Sequence, residues 1–111
     1  MVRRSRVPRP TRSREYTLIF GTRQAERGWR DLVATQRNAV VSAWEYLTGT
    51  PTQRRASNHP LKGELSTVAH DGGTHEQWQH ELTNGARIWF YVDESTVVLV
   101  DVHTRHPNQT K

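Results

Sequence analysis

The stretch Gly85-Ala86-Arg87-Ile88-Trp89-Phe90-Tyr91-Val92-Asp93-Glu94-Ser95-Thr96-Val97-Val98-Leu99-Val100-Asp101-Val102-His103 holds two strands and the turn between them. Its residues are β-branched, aromatic and aliphatic, and Asp93-Glu94-Ser95 interrupts them where a hairpin needs a turn. Side chains alternate between the faces of a strand. Arg87, Trp89 and Tyr91 therefore share one face, and Ile88, Phe90 and Val92 the other. The run Val97 to Val102 is the most apolar in the chain and is expected in the middle of a sheet. Strict alternation there puts Val98, Val100 and Val102 on one face, and Leu99, Asp101 and His103 on the other.

Working back from this hairpin, Asn84-Gly85 marks a second turn. Before it, His75 to Leu82 alternates, with Trp78, His80 and Leu82 on one face. Leu65 to His70 reads as a weaker strand, and Asp71-Gly72-Gly73 as the turn after it. Residues 36–48 carry Val40, Val41, Trp44 and Leu47 as a helical stripe, with Gly49 at the position of a left-handed cap and Pro51 beyond. An earlier helix has Ala25, Trp29, Leu32 and Val33 on one face, and Thr22 can cap it. Gly28 weakens that helix by ~1 kcal/mol relative to Ala without breaking it. Tyr16 to Phe20 reads as a short buried strand ended by Gly21. The expectation is an α+β fold of order β-α-α-β-β-β-β, an antiparallel sheet packed against an N-terminal helical hairpin.

The 111 residues suffice for one domain with a modest core, and only 33% of them are hydrophobic. Part of that deficit lies in residues 1–14, which contain six Arg, two Pro and no acidic residue. Such a segment cannot offset its ordering entropy, so a disordered basic tail is expected at 1–14 and one folded domain at 15–111. The net charge of +5 belongs to that tail, because ten basic and eleven acidic side chains remain after it. Cysteine is absent, which excludes disulfides and thiolate metal sites and favours a reducing compartment. No apolar run approaches a membrane span, and no apolar segment follows the Arg-rich start as a secretory signal requires. A cytoplasmic protein without membrane contact is expected.

Cations and imidazoles carry the chemistry. The loop from Thr50 to Lys62 holds Arg54, Arg55, His59 and Lys62 with no carboxylate, so phosphates would meet no repulsion there. Arg87 stands beside Trp89 and Tyr91, a pairing that suits phosphate contact and base stacking. His103-Thr104-Arg105-His106-Pro107 places two imidazoles and a guanidinium within four residues. Imidazole exchanges protons near neutral pH, and Arg stabilises a phosphorane oxyanion. His106 is expected as general acid or base, Arg105 as phosphate clamp, and His103 as the residue that packs or orients the segment. No His-Glu-x-x-His pattern, Gly-rich phosphate loop or Ser nucleophile elbow is present, and neither metal nor cofactor is expected. Together these groups suit metal-free RNA cleavage, in which a base takes the 2′-OH proton and an acid protonates the leaving 5′-oxygen.

In order and motif the chain resembles the RelE/ParE superfamily of bacterial type II toxins. The resemblance runs from Tyr16 to the C-terminus. It rests on Pro60-Leu61-Lys62-Gly63-Glu64-Leu65, Glu76-Gln77-Trp78-Gln79-His80-Glu81-Leu82, Gly85-Ala86-Arg87-Ile88-Trp89-Phe90-Tyr91 and the basic ending Val102 to Lys111. It implies a microbial-ribonuclease-like (RelE-like) fold, mRNA cleavage at the 70S ribosome and neutralisation by a cognate antitoxin in a hetero-oligomer. It matches Lys62 to the loop lysine, Arg87 to the strand arginine and Arg105-His106 to the C-terminal catalytic region. The expected catalytic set is thus His106, Arg105, Arg87, Lys62, His103 and His59, with RNA contacts from Arg54, Arg55, His80, Trp89, Tyr91 and Lys111. One departure stands out. RelE-type members carry a second arginine on the strand before the hairpin, where this chain has His80-Glu81-Leu82. Either His80 substitutes or fewer cations hold the transition state. ParE-type members inhibit DNA gyrase without cutting RNA, and a catalytically inactive RNA-binding module is a third reading; the clustered histidines favour the nuclease.

Overall fold

The computed structural model describes residues 4–105. Thr22 starts α1 (Arg23–Thr35), its Oγ1 accepting from the Ala25 amide at 3.0 Å. Gln36 alone separates α1 from α2 (Arg37–Gly49), which gives the expected helical hairpin. Gly28 has a packing reason: α1 crosses so close to the last strand that a Cβ there would overlap the Val102 carbonyl oxygen. Gly49 is not the left-handed cap the sequence suggests. It is the last helical residue, and Thr50 follows with extended φ of −140°. The buried face of α2 is Val40, Ala43 and Leu47, while Val41 and Trp44 stay largely exposed.

The strands are β1 (Thr17–Phe20), β2 (Asn58–Pro60), β3 (Thr67–His70), β4 (Gly73–Glu76), β5 (Trp78–Glu81), β6 (Arg87–Asp93) and β7 (Thr96–His103). Five form a sheet in the order β1-β7-β6-β5-β2; β3 and β4 form a separate hairpin. The pairs are antiparallel except β1 with β7, which run parallel from Thr17↔Thr96 to Phe20↔Leu99. The α+β fold with helices on one face stands as expected, with β7 in the interior and β6 at the centre. The helix-side core contains Leu32, Leu47, Trp78, Ile88, Phe90, Val97, Leu99 and Val102.

Four further readings of the sequence change. First, β1 is an edge strand rather than a buried one, because β7 is its sole neighbour among the described residues; Ile19 and Phe20 are 46% and 43% exposed. Secondly, His75 to Leu82 is two strands. Gln77 breaks it, its amide N–H donating to Ser66 O and its side chain to Leu65 O. Thirdly, β2 lies inside the segment read as loop. Fourthly, alternation in β7 is reset. Trp89 faces Asp101 but Phe90 faces Leu99, so Val100 is an extra residue, a β-bulge. Val98 and Val100 pack on the face away from the helices with Tyr91 and Val68, whereas Val102 joins Leu99 in the helix-side core. Residues 4–14 are exposed and belong to no helix or strand; Arg12 N–H donates to the Glu15 carboxylate at 2.9 Å. Among the described residues, no helix is long and apolar enough to cross a membrane.

Candidate functional site

The sheet face away from the helices divides into two halves. Over one half the β3–β4 hairpin lies on Tyr91, Val98 and Val100. His75 stacks flat on the Tyr91 ring, centroids 3.9 Å apart. His70 ties the hairpin down, its Nε2–H donating to Gly21 O at 2.9 Å while Nδ1 lies 2.7 Å from the Tyr91 hydroxyl. The donor role of Nε2 follows from the carbonyl, which can only accept. Tyr91 is therefore covered, 2% exposed, and its face is already taken by an imidazole; the expected stacking role is corrected.

The other half carries the polar groups. Residues paired across antiparallel strands point to the same face. One row across the sheet is His59 (β2), Gln79 (β5), Trp89 (β6) and Asp101 (β7). The next row is Glu81 (β5), Arg87 (β6) and His103 (β7). The bulge is what brings His103 and Asp101 onto the face of Arg87. Without it, alternation from Val98 would point both of them at the helices.

Arg87 is buried, 8% exposed. Its Nη1 donates to Ala86 O at 3.2 Å, and its Nη2 lies 3.2 Å from a Glu81 carboxylate oxygen. Its Nε is buried without a hydrogen-bond partner. His103 meets Trp89 edge-on, ring centroids 4.3 Å apart, and its Nε2 is likewise buried without a partner. Burial pushes the His103 pKa down, and Asp101 partly offsets this; burial also raises the Asp101 carboxyl. Trp89 is 4% exposed, and its indole N–H donates to Gln79 Oε1 at 2.9 Å. Its ring shapes the floor and supports His103, so it too is corrected as a base-stacking platform. His59 is half-buried at the β2 edge, and its Nδ1 sits 3.0 Å from Pro60 O. A carbonyl can only accept, so Nδ1 carries the proton and Nε2 of neutral His59 keeps a lone pair. Lys62 follows on the same strand end and is exposed, as is Arg105 just after β7.

Three expected RNA contacts lie elsewhere. His80 occupies the opposite face of β5, where period two puts it with Trp78. It packs on Tyr46 of α2 at 4.9 Å between centroids and its Nδ1–H donates to Asn58 Oδ1. Burial lowers its pKa to about 4, so it stays neutral and does not replace the missing second arginine. Arg54 and Arg55 also fold towards the helix side. Their guanidinium carbons stand 5.9 Å from the Trp78 ring centroid and 5.1 Å from that of Tyr46. The cationic loop is thus split by the sheet: His59 lies on the face of Arg87 and the two arginines do not. His106 and Lys111 lie outside the described residues. Among the described residues, no group of three or more His, Asp or Glu side chains could hold a metal.

Glu81 and Gln79 belong to the site, and sequence reasoning passed over them. The signal was present. If Trp78, His80 and Leu82 face the core, Gln79 and Glu81 must face outward beside Arg87.

This arrangement of hairpin helices and sheet can be compared with solved structures. The YoeB dimer from Staphylococcus aureus superposes with a TM-score of 0.58 at 12% identity, over 80% of this chain and 95% of that one. The YoeB/ParE toxin from Agrobacterium tumefaciens gives 0.57 at 16% identity, over 78% and 95%. The fold is that of the YoeB/ParE toxins. A metal-bound toxin from Helicobacter pylori is similar as well, with a TM-score of 0.55 at 17% identity over 79% and 92%. No protein-family model and no curated protein sequence matches the chain. At these identities the likeness shows the YoeB/ParE-type fold alone.

Proposed function

We propose that this protein is the toxin of a type II toxin–antitoxin pair and cleaves mRNA at the ribosome without a metal. The observation that carries the reading is the polar half of the sheet face away from the helices. There Arg87 stands between His103 on one neighbouring strand and Glu81 on the other, with His59 at the β2 edge. A phosphodiester held at Arg87 would have His59 on the β2 side and the histidine segment that follows β7 on the other, as in-line displacement needs. Arg87, Lys62 and Arg105 hold the phosphate oxygens. His59 Nε2 takes the 2′-OH proton, the 2′-oxygen bonds to phosphorus, and the bond to the 5′-oxygen breaks. His106 delivers a proton to that oxygen, while His103, braced on Trp89, orients the segment. The products are a 2′,3′-cyclic phosphate and a 5′-OH. The toxin fold supports an antitoxin partner, and the basic residues 1–14 suit either RNA or an acidic antitoxin segment.

The test is to add purified protein to translating ribosomes with EDTA present and map mRNA ends. New 5′-OH ends in the ribosomal A site are expected. Intact mRNA together with inhibited gyrase supercoiling would replace this reading with gyrase poisoning. Cleavage lost in EDTA and restored by a divalent cation would overturn the metal-free mechanism.

A further inference from the structure

The Glu81–Arg87 pair reverses a charge at the heart of the proposed phosphate site. Glu81 is the direct cross-strand neighbour of Arg87, with 3.2 Å between carboxylate oxygen and Nη2. The guanidinium side chain is 9% exposed and that of the carboxylate 41%. Arg87 therefore spends one face of its fork on Glu81 and another donor on Ala86 O, and its Nε stays buried and unpaired. A buried donor without a partner is a standing cost that an incoming acceptor relieves. An RNA phosphate is such an acceptor, yet at Arg87 it would meet the Glu81 carboxylate beside it. Like charges at this distance repel even near the surface, where solvent weakens the effect.

We infer that Glu81 is an internal competitor for Arg87, a carboxylate that occupies the guanidinium when RNA is absent and sets how tightly a phosphodiester binds. The inference rests on the reading of Arg87 as a phosphate clamp. Glu81 acts through Arg87 and is a positioning residue. While bound to Glu81, Arg87 is held in one rotamer with its charge neutralised. A phosphodiester must displace the carboxylate or share the guanidinium with it. The exposed Glu81 side is the half that can swing away; the buried Arg87 side is the half that cannot. Weak anions are thereby excluded, and RNA binds through the additional cations Lys62 and Arg105.

Glu81→Gln removes the charge and keeps an oxygen that can accept from Arg87. Binding of a 2′-O-methyl RNA oligonucleotide, which cannot be cleaved, is titrated against the wild type, Glu81→Gln, Arg87→Ala and the double variant. Glu81→Gln is expected to tighten binding roughly three- to tenfold. That gain should vanish in the Arg87→Ala background, and in cleavage assays it should appear in KM with little change in kcat. A role confined to strand pairing would lower the melting temperature and leave affinity unchanged or weaker. Unchanged or weaker affinity in a folded Glu81→Gln overturns the competitor role, as does a gain that persists without Arg87. A fall in kcat would instead make Glu81 a proton acceptor. Failure of the wild type to cleave, with the affinity pattern intact, removes the nuclease reading and leaves the competitor in place. A wild type that binds no RNA removes both.

Discussion

Lys62 and Arg87 are both cations assigned to the proposed phosphate site, yet they differ in what surrounds them. Lys62 is exposed, so Lys62→Ala should lower cleavage while changing stability by no more than about 0.5 kcal/mol. Arg87 is buried and ion-paired, so Arg87→Ala should lower cleavage and also cost roughly 1–3 kcal/mol. Urea titration of both variants beside a cleavage assay checks the contrast; a stability loss at Lys62 equal to that at Arg87 would contradict it. His80 makes a different prediction. Its pKa in the fold is about 4 against the usual 6.5, because burial disfavours the charged ring. The folded value is the lower one, so its contribution is complete above pH 6.5 and drains away as pH falls towards 4. The gap corresponds to about 3 kcal/mol. Burial depresses His103 in the same direction, which adds to the acid sensitivity. Melting temperature should drop across that window, and His80→Gln should flatten the drop; an unchanged slope would refute the assignment.

Helix α1 shows how an element can mislead when read alone. Helix propensity favours Ala over Gly by ~1 kcal/mol, so propensity by itself expects Gly28→Ala to stabilise. Close approach to Val102 predicts the opposite sign, a loss of about 1–3 kcal/mol, because the obstacle is backbone and cannot rotate aside. A thermal melt decides between them. The same division explains what could be read from the sequence. Helix positions, the Thr22 cap, the β6 faces and the two last turns were legible because each is set by local pattern. The β7 bulge was not, since it depends on pairing with β6, and it moves Asp101 and His103 to another face. The three-residue β2 carries too little apolar signal to stand out from a loop, although it delivers His59. Arg54 and Arg55 looked like part of one cationic cluster because sequence proximity does not reveal which side of a sheet a loop folds over.

At the scale of the molecule, charge and apolar surface separate. The folded part is close to neutral, and the first fourteen residues supply six arginines. Deleting residues 1–14 should flatten the plot of log RNA affinity against log salt without moving the melting temperature; an unchanged slope would take this segment out of RNA binding. On the helix side, Phe20, Trp29 and Trp44 form a ladder of edge-to-face rings with centroids 6.3 and 6.2 Å apart. Val41 and Leu18 extend this apolar strip at the edge of the sheet.

The parallel pairing of β1 with β7 sets the order in which a newly made chain can fold. Thr17 must wait for Thr96, and Phe20 for Leu99, so β1 has no partner until about eighty further residues have been synthesised. Helix α1 shares that delay, because the surface it covers is β7 and the Gly28–Val102 contact must wait for residue 102. Contacts this distant in sequence are slow to close and late to reward the chain. His103 joins Arg87 in the same final stage, when the last strand docks. During translation the chain therefore stays unassembled, and the face that holds Arg87 and His103 exists only once β7 is free to join the sheet.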